Sequence, residues 1–244
     1  MNIALVGYGK MGKAVESAAK AKGLTVSKVF DINNNTGSLG LTAESLKGVD
    51  VCIEFSTPGS VLENITAVAE CGKSIVVGTT GWYDRLDHVK KIVKENKIGF
   101  LYAPNFSLGV NIFMQIVAHA AHMMDRYAEY DAAVMESHHR AKVDSPSGTA
   151  LTIASNVLQG MKRKTEITSG TMQGQIKPNQ LHVASSRFGS VTGTHAVVFD
   201  SDADSIELVH TAKNRSGFAV GAVVAAEWLK GKKGFYTMRD VITL

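Results

Sequence analysis

The first hundred residues alternate between two hydrophobic periods. Short apolar, β-branched runs occur at residues 3–6, 25–30, 49–55, 74–77 and 98–102. Between them, residues 10–22, 59–71 and 83–95 repeat apolar positions at the three-to-four-residue spacing of a helix with one buried face. Strand–helix–strand alternation with short polar links predicts a parallel, doubly wound α/β sheet. Residues 33–48 break the pattern: their Asn, Gly and Ser content predicts a loop with room for one helical turn.

After Pro104 the pattern changes. Residues 111–128 predict a long helix whose stripe is Ile112, Ile116, Val117, Ala120, Met123 and Met124. A strand at 131–137, a loop and a helix at 148–158 follow, and then extended runs at 180–186, 194–200 and 205–211. Strands grouped late and separated by turns predict a smaller α+β domain with a mixed sheet and helices on one face. Residues 168–178 read as a mobile loop, and 218–229 as a last helix that returns to the first domain. The expected division is residues 1–107, completed by 216–244, against 108–215.

Composition narrows the class without deciding it. The 244 residues are 45% hydrophobic and 20% charged, as in soluble globular proteins, with a net charge of +4. The basic runs Lys162–Lys164 and Lys230–Lys233 are short and read as solvated helix ends, so no nucleic-acid partner is expected. No apolar run approaches the roughly 18 residues that cross a bilayer. With Cys52 and Cys71 reading as small buried hydrophobes and no charged leader, the expectation is a cytoplasmic protein without a membrane partner.

The first strand runs directly into Gly7-Tyr8-Gly9-Lys10-Met11-Gly12, which opens a helix. This is G-x-G-x-x-G in the strand–turn–helix setting that binds a dinucleotide. Gly7 permits the turn, Gly9 lets backbone approach a pyrophosphate, and Gly12 lets the helix pack closely. Free N–H groups at the helix start then face the phosphates. Asp31, 19 residues past Gly12, ends the second strand where a carboxylate receives ribose hydroxyls. The first domain is therefore expected to be of Rossmann type, with NADH and/or NADPH as cofactor. Asp31 repels a 2′-phosphate and is followed by Ile32 rather than by Arg, so NADH is expected to serve at least as well as NADPH. Two more loops follow strand C-termini: Gly78-Thr79-Thr80-Gly81 and Ala103-Pro104-Asn105-Phe106. Their polar and backbone groups suit the nicotinamide ribose and carboxamide.

The densest polar cluster runs from Glu136 to Ala150, from a strand end to a helix start. His138, His139, Arg140 and Lys142 place up to four cations within five positions, a crowding that a multiply charged acid would relieve. Ser147-Gly148-Thr149 reads as a helix N-cap with free N–H groups suited to a carboxylate. Reduction of a C=O or C=N bond by hydride needs a nearby acid, and histidine or a lysine among cations can supply it. His119, His122 and Asp125 lie on one helix, but nothing completes a metal set, and no metal is expected. His182, His195 and His210 sit singly in extended runs and read as sheet packing. Arg187 flanks a turn that can reach the substrate region.

Taken together, the glycine loop, Gly78–Gly81, the stretch from Ala103 to Asn111 and the block from Glu136 to Ala150 resemble the 4-hydroxy-tetrahydrodipicolinate reductase family, formerly called dihydrodipicolinate reductase. The resemblance spans nearly the whole chain. It implies that His138 donates or accepts a proton, that Lys142 donates one, and that His139, Gly148 and Thr149 bind carboxylates of a cyclic dicarboxylate. It implies cofactor contacts at the glycine loop, Asp31, Gly78–Thr80 and Ala103–Phe106, and a homotetramer formed through the second domain. Ile32 departs from relatives that carry Arg or Lys there, which leaves the cofactor preference open. Two other readings remain: another small Rossmann dehydrogenase acting on aspartate or homoserine, and an NAD(H)-sensing module without turnover.

Overall fold

The computed structural model describes residues 1–214 and 216–242. The chain forms two compact units, Met1–Leu108 with Ser216–Leu244, and Gly109–Arg215.

In the first unit, β1 (Asn2–Val6), β2 (Thr25–Phe30), β3 (Val51–Glu54), β4 (Ser74–Val77), β5 (Gly99–Tyr102) and β11 (Gly234–Thr237) form one sheet in the order β11-β5-β4-β3-β1-β2. All its pairings are parallel. The reversal of strand order between β1 and β3 makes the topological switch point of a Rossmann-type sheet. The central strands are buried on both faces, hence their unbroken apolar runs. One face packs Ala4, Val6, Cys52 and Ile75 against α2 (Val61–Glu70) and α3 (Leu86–Asn96). The other packs Ile3, Leu5, Ile53 and Val76 against α1 (Lys10–Ala21) and α6 (Ser216–Leu229). α6 is apolar around most of its circumference because it touches both α1 and the sheet. Phe235 of β11 stacks on Phe100 at 4.9 Å, while α7 (Met238–Ile242) buries Met238. Residues 33–48 contain one short 3-10 turn at Thr36–Ser38.

In the second unit, β6 (Asp131–His138), β7 (Glu166–Ser169), β8 (Gln180–Arg187), β9 (Thr194–Asp200) and β10 (Ser205–Thr211) form a mixed sheet in the order β10-β9-β6-β8-β7. The β6–β8 and β7–β8 pairings are parallel, whereas the β6–β9 and β9–β10 pairings are antiparallel. α4 (Leu108–Met124) and α5 (Gly148–Gly160) share a core with Val134, Leu181, Val183, Val197 and Phe199.

Several expectations change here. α4 stops at Met124 and buries Val110, Phe113, Val117 and Ala121, while Ile112, Ile116 and Met123 are about half exposed. The helix is apolar on nearly every side, so its own period cannot choose the buried stripe. Packing chooses it: the closest approach is at Gly160 of α5, where a Cβ would come within 2.8 Å of Ala121. Thr168 and Ser169 belong to strand β7 rather than to the loop after it. Of the run Lys162–Lys164, only Lys162 is exposed. Arg163 donates to the carbonyls of Met124, Asp125 and Tyr127 at 3.0–3.2 Å and so caps α4. Lys164 is buried, pairs with Asp131 and donates to the Gln180 carbonyl at 2.8 Å.

Candidate active site

The nucleotide end is built from backbone and space. Between β1 and α1, Gly7 has φ +91°, and a Cβ there would lie 2.2 Å from the Phe55 carbonyl oxygen. Gly12 meets the Gly7 carbonyl just as closely, so the helix can begin only where both side chains are missing. Gly9 faces open space, and no side chain caps α1. The N–H groups of its first turn are thereby left for an anionic ligand. Gly7, Tyr8, Gly9 and Asp31 line one cavity of about 540 Å³, together with Asn35 and Asn64. That volume lies within the range of small-molecule and cofactor sites.

Asp31 accepts from the backbone N–H of Asn33 at 2.8 Å, and Ile32 beside it is 86% exposed. Lys10 lies exposed at the helix start. Met11, Gly78, Thr79 and Thr80 line a second cavity of about 230 Å³ with Phe55 and Ser56. The Phe55 ring fills the place of a Gly78 side chain, 2.0 Å from where a Cβ would stand. After β5, Ala103 donates its N–H to Val77, Pro104 is exposed, and Asn105 accepts from the Ser107 N–H at 2.9 Å. Phe106 buries its ring against Phe55, and its carbonyl oxygen packs against Gly221 of α6, 1.7 Å from where a Cβ would stand. Behind these loops sits Glu54, which the apolar run of β3 concealed. It is fully buried, accepts from the Ser56 N–H at 2.9 Å, and burial raises its pKa.

The candidate catalytic end is built from charge. In β6 the period of two turns Ala132, Val134, Glu136 and His138 toward the core, so a carboxylate and an imidazole occupy positions that otherwise hold apolar side chains. His138 Nδ1 stands 2.6 Å from Glu136 Oε2. Glu136 Oε1 accepts from Arg187 of β8 at 2.8 Å and from the Ser147 N–H at 3.0 Å. Ser147 in turn caps α5, its hydroxyl accepting from the Ala150 N–H at 3.1 Å. His195 of β9 lies opposite Glu136 in the sheet, its ring 5.2 Å from that of His138.

Lys142 donates to Asp144 at 2.7 Å, and the Asp144 carbonyl accepts from Arg187 at 2.6 Å. The connection from β6 to α5 thus carries His138, His139, Lys142, Gly148 and Thr149 in succession, with a continuous polar chain from His138 through Glu136 and Arg187 to Asp144 and Lys142. Gly148 is exposed with nothing within 4 Å of a Cβ position, and Thr149 follows it in the first turn of α5. The Ser145–Pro146 peptide bond is cis.

The electrostatics follow from this wiring. Burial works to raise the pKa of Glu136, but hydrogen bonds, led by the one from Arg187, hold it at about 2. Burial lowers the pKa of His138 despite the attraction of Glu136, and burial with the nearby His138 takes His195 down to about 4. Glu136, His138 and His195 bring three donor atoms within 4.8 Å of one another, a spacing that a metal ion can use. Arg187 already neutralises that carboxylate, and its guanidinium would repel a cation there.

His195 therefore departs from its expected role in sheet packing, and Glu136 and Arg187 were not given roles from sequence. The available signal was register: Glu136 and His195 both fall on the buried side of alternating strands.

Two family descriptions divide the chain. "Dihydrodipicolinate reductase, N-terminus" matches residues 1–106 and "Dihydrodipicolinate reductase, C-terminus" matches residues 109–242. The chain belongs to the dihydrodipicolinate reductase family. Among its relatives, the 4-hydroxy-tetrahydrodipicolinate reductase of Christiangramia forsetii is 41% identical over 244 residues, covering 100% of this chain and 98% of that one. That of Archaeoglobus fulgidus is 40% identical over 261 residues, covering 99% and 100%. The dipicolinate-bound dihydrodipicolinate reductase of Paenisporosarcina sp. TG-14 shares the fold, with a TM-score of 0.80 at 22% identity over 99% of both chains. In this member of the family, the polar chain from His138 to Lys142 starts at the end of a strand of the mixed sheet, and the glycine loop follows the first strand of the parallel one.

Proposed function

We propose that this chain is an NAD(P)H-dependent oxidoreductase that reduces 4-hydroxy-tetrahydrodipicolinate, by way of dihydrodipicolinate, to tetrahydrodipicolinate in the diaminopimelate route to lysine. The observation that carries this reading is the β6–α5 connection, where a buried imidazole, a paired lysine and an open helix N-terminus follow one another. Family membership over the full chain and the dipicolinate held by a relative of the same fold support a cyclic dicarboxylate as substrate.

The residues present suit a dinucleotide: Gly9 leaves open the space that a pyrophosphate needs, and Asp31 lines the same cavity with a carboxylate suited to ribose hydroxyls. When bound, a reduced nicotinamide supplies hydride but no proton. Protein side chains must therefore manage the proton, and His138 and Lys142 take that part. His138, neutral near pH 7 because burial lowers its pKa, exchanges a proton at Nε2. Lys142 delivers a proton from an ammonium oriented by Asp144. His139, Gly148 and Thr149 hold the carboxylates, the last two through the first turn of α5. Tyr8, Lys10, Met11, Gly12, Gly78–Thr80 and Ala103–Phe106 complete the cofactor side. NADH serves at least as well as NADPH, because Asp31 repels a 2′-phosphate and Ile32 offers no cation. The working form is a cytoplasmic homotetramer assembled through the second unit; among the described residues no helix is long and apolar enough to cross a membrane.

The test is a coupled assay in which the preceding condensing enzyme joins aspartate semialdehyde and pyruvate, while NADH absorbance is followed. Substrate-dependent oxidation of NADH is expected. Its absence with both NADH and NADPH overturns the reading.

A further inference from the structure

We propose that Glu136 is a positioning residue whose single buried carboxylate sets the tautomer and orientation of His138 while anchoring the start of α5. The proposal rests on the roles given above to His138 and to the first turn of that helix. Its starting point is an anomaly of register. Glu136 is fully buried on the core side of β6, beside Val134, where packing alone calls for an aliphatic side chain. Burying a carboxylate is costly unless donors surround it, and here they come from three separate elements.

The two oxygens divide the work. Oε1 receives the Ser147 N–H and Arg187, so the carboxylate fixes the turn that caps α5. Oε2 stands 2.6 Å from His138 Nδ1, a contact between two buried atoms, and 3.9 Å from His195 Nε2. An ionised carboxylate can only accept, so Nδ1 must carry the hydrogen. Nε2 is then left with its lone pair, and Gly193 keeps the approach to it clear, since a Cβ there would stand 3.0 Å away. The charged and titratable groups around His138 are Glu136 on its own strand, Arg187 on β8, His195 on β9 and Lys142 on the following connection. Glu136 is the one anion among these four, and so the one that favours an imidazolium when Nε2 takes up a proton. The same carboxylate therefore couples proton transfer to the placement of the carboxylate-binding turn.

The experiment combines Glu136→Gln, Glu136→Asp and ¹⁵N-histidine NMR of the full chain. In the native protein near pH 7, His138 is expected protonated at Nδ1 and bare at Nε2. In Glu136→Gln the amide can donate to Nδ1, and the expected result is a shift toward the Nε2–H tautomer. With it, kcat falls about a hundredfold, the size of effect seen when a group that orients a histidine is removed. The acid limb of kcat/KM moves to lower pH, because loss of the anion makes the imidazole harder to protonate. Glu136→Asp keeps the charge and recovers the Nδ1–H tautomer and part of kcat. If either variant melts cooperatively yet Glu136→Gln leaves tautomer and acid limb unchanged, or if native His138 carries its proton on Nε2, the proposal is overturned. Failure of the native enzyme to turn over the dicarboxylate would remove the functional reading instead, and the tautomer measurement would still decide the role of Glu136.

Discussion

The two ends of the chemistry are made from opposite materials. The loop between β1 and α1 works by missing side chains: Gly7 and Gly12 permit contacts that a Cβ would block, and Gly9 leaves a space. The end of β6 is built on buried charge: Glu136 and Arg187 neutralise one another, and the carboxylate faces the imidazoles of His138 and His195. A site defined by volume responds to added atoms and little to pH, whereas a site defined by charge tolerates shape and responds to protonation.

The largest effect should come from the charged end. Lys142→Ala is expected to lower kcat by about a thousandfold, as loss of a positioned proton donor does, with NADH affinity nearly unchanged. Steady-state kinetics alongside a fluorescence titration with NADH would check it, and an unaltered kcat would remove Lys142 from the chemistry.

Next comes the response to acid. The pKa of Glu136 is depressed from 4.5 to about 2 and that of His195 from 6.5 to about 4. In both, the unfolded chain binds the proton more readily than the folded one. The stability they contribute is therefore present above the unfolded values and lost as pH falls through the folded values. The loss should begin below pH 6.5 with His195 and continue below pH 4.5 with Glu136. The depression of Glu136 alone corresponds to about 3 kcal/mol. Urea midpoints between pH 7 and pH 3 would show this, and His195→Asn should flatten the upper part of the decline.

The nucleotide end should separate binding from stability. Gly9→Val is expected to raise the Kd for NADH about a hundredfold, the loss of nearly 3 kcal/mol of contact, with little change in Tm because the protein leaves that space open. Gly7→Val should instead lower Tm, since its side chain meets the Phe55 carbonyl. Equal effects of the two substitutions on Tm would contradict the distinction.

The smallest effect concerns cofactor choice. Ile32→Arg, at an 86% exposed position beside Asp31, should move the kcat/KM ratio toward NADPH by about tenfold, the worth of one exposed charge-assisted contact to a phosphate. A ratio that does not move would mean that the 2′ position lies elsewhere.

Local pattern carried much of this molecule. The short apolar runs of β1–β5, the glycine loop and the capping Ser147 were legible because each is a property of neighbouring residues. β7, β11 and α7 were not, being only four or five residues long and stabilised mainly by what they pack against. In α4, Val117 of the expected stripe is buried but Ile112, Ile116 and Met123 are not, because a helix apolar on nearly every side leaves the choice of face to packing.

What the sequence determined by itself was the family, the alternation that builds a doubly wound sheet, and the inventory of groups able to bind a dinucleotide or move a proton. The tertiary structure alone decided which charges meet. Arg187 and His195 reach Glu136 across 51 and 59 positions of chain because β8 and β9 flank β6. Periodicity states which face of a strand a residue occupies, but strand order sets its partners, and the energy of a buried charge depends on those partners.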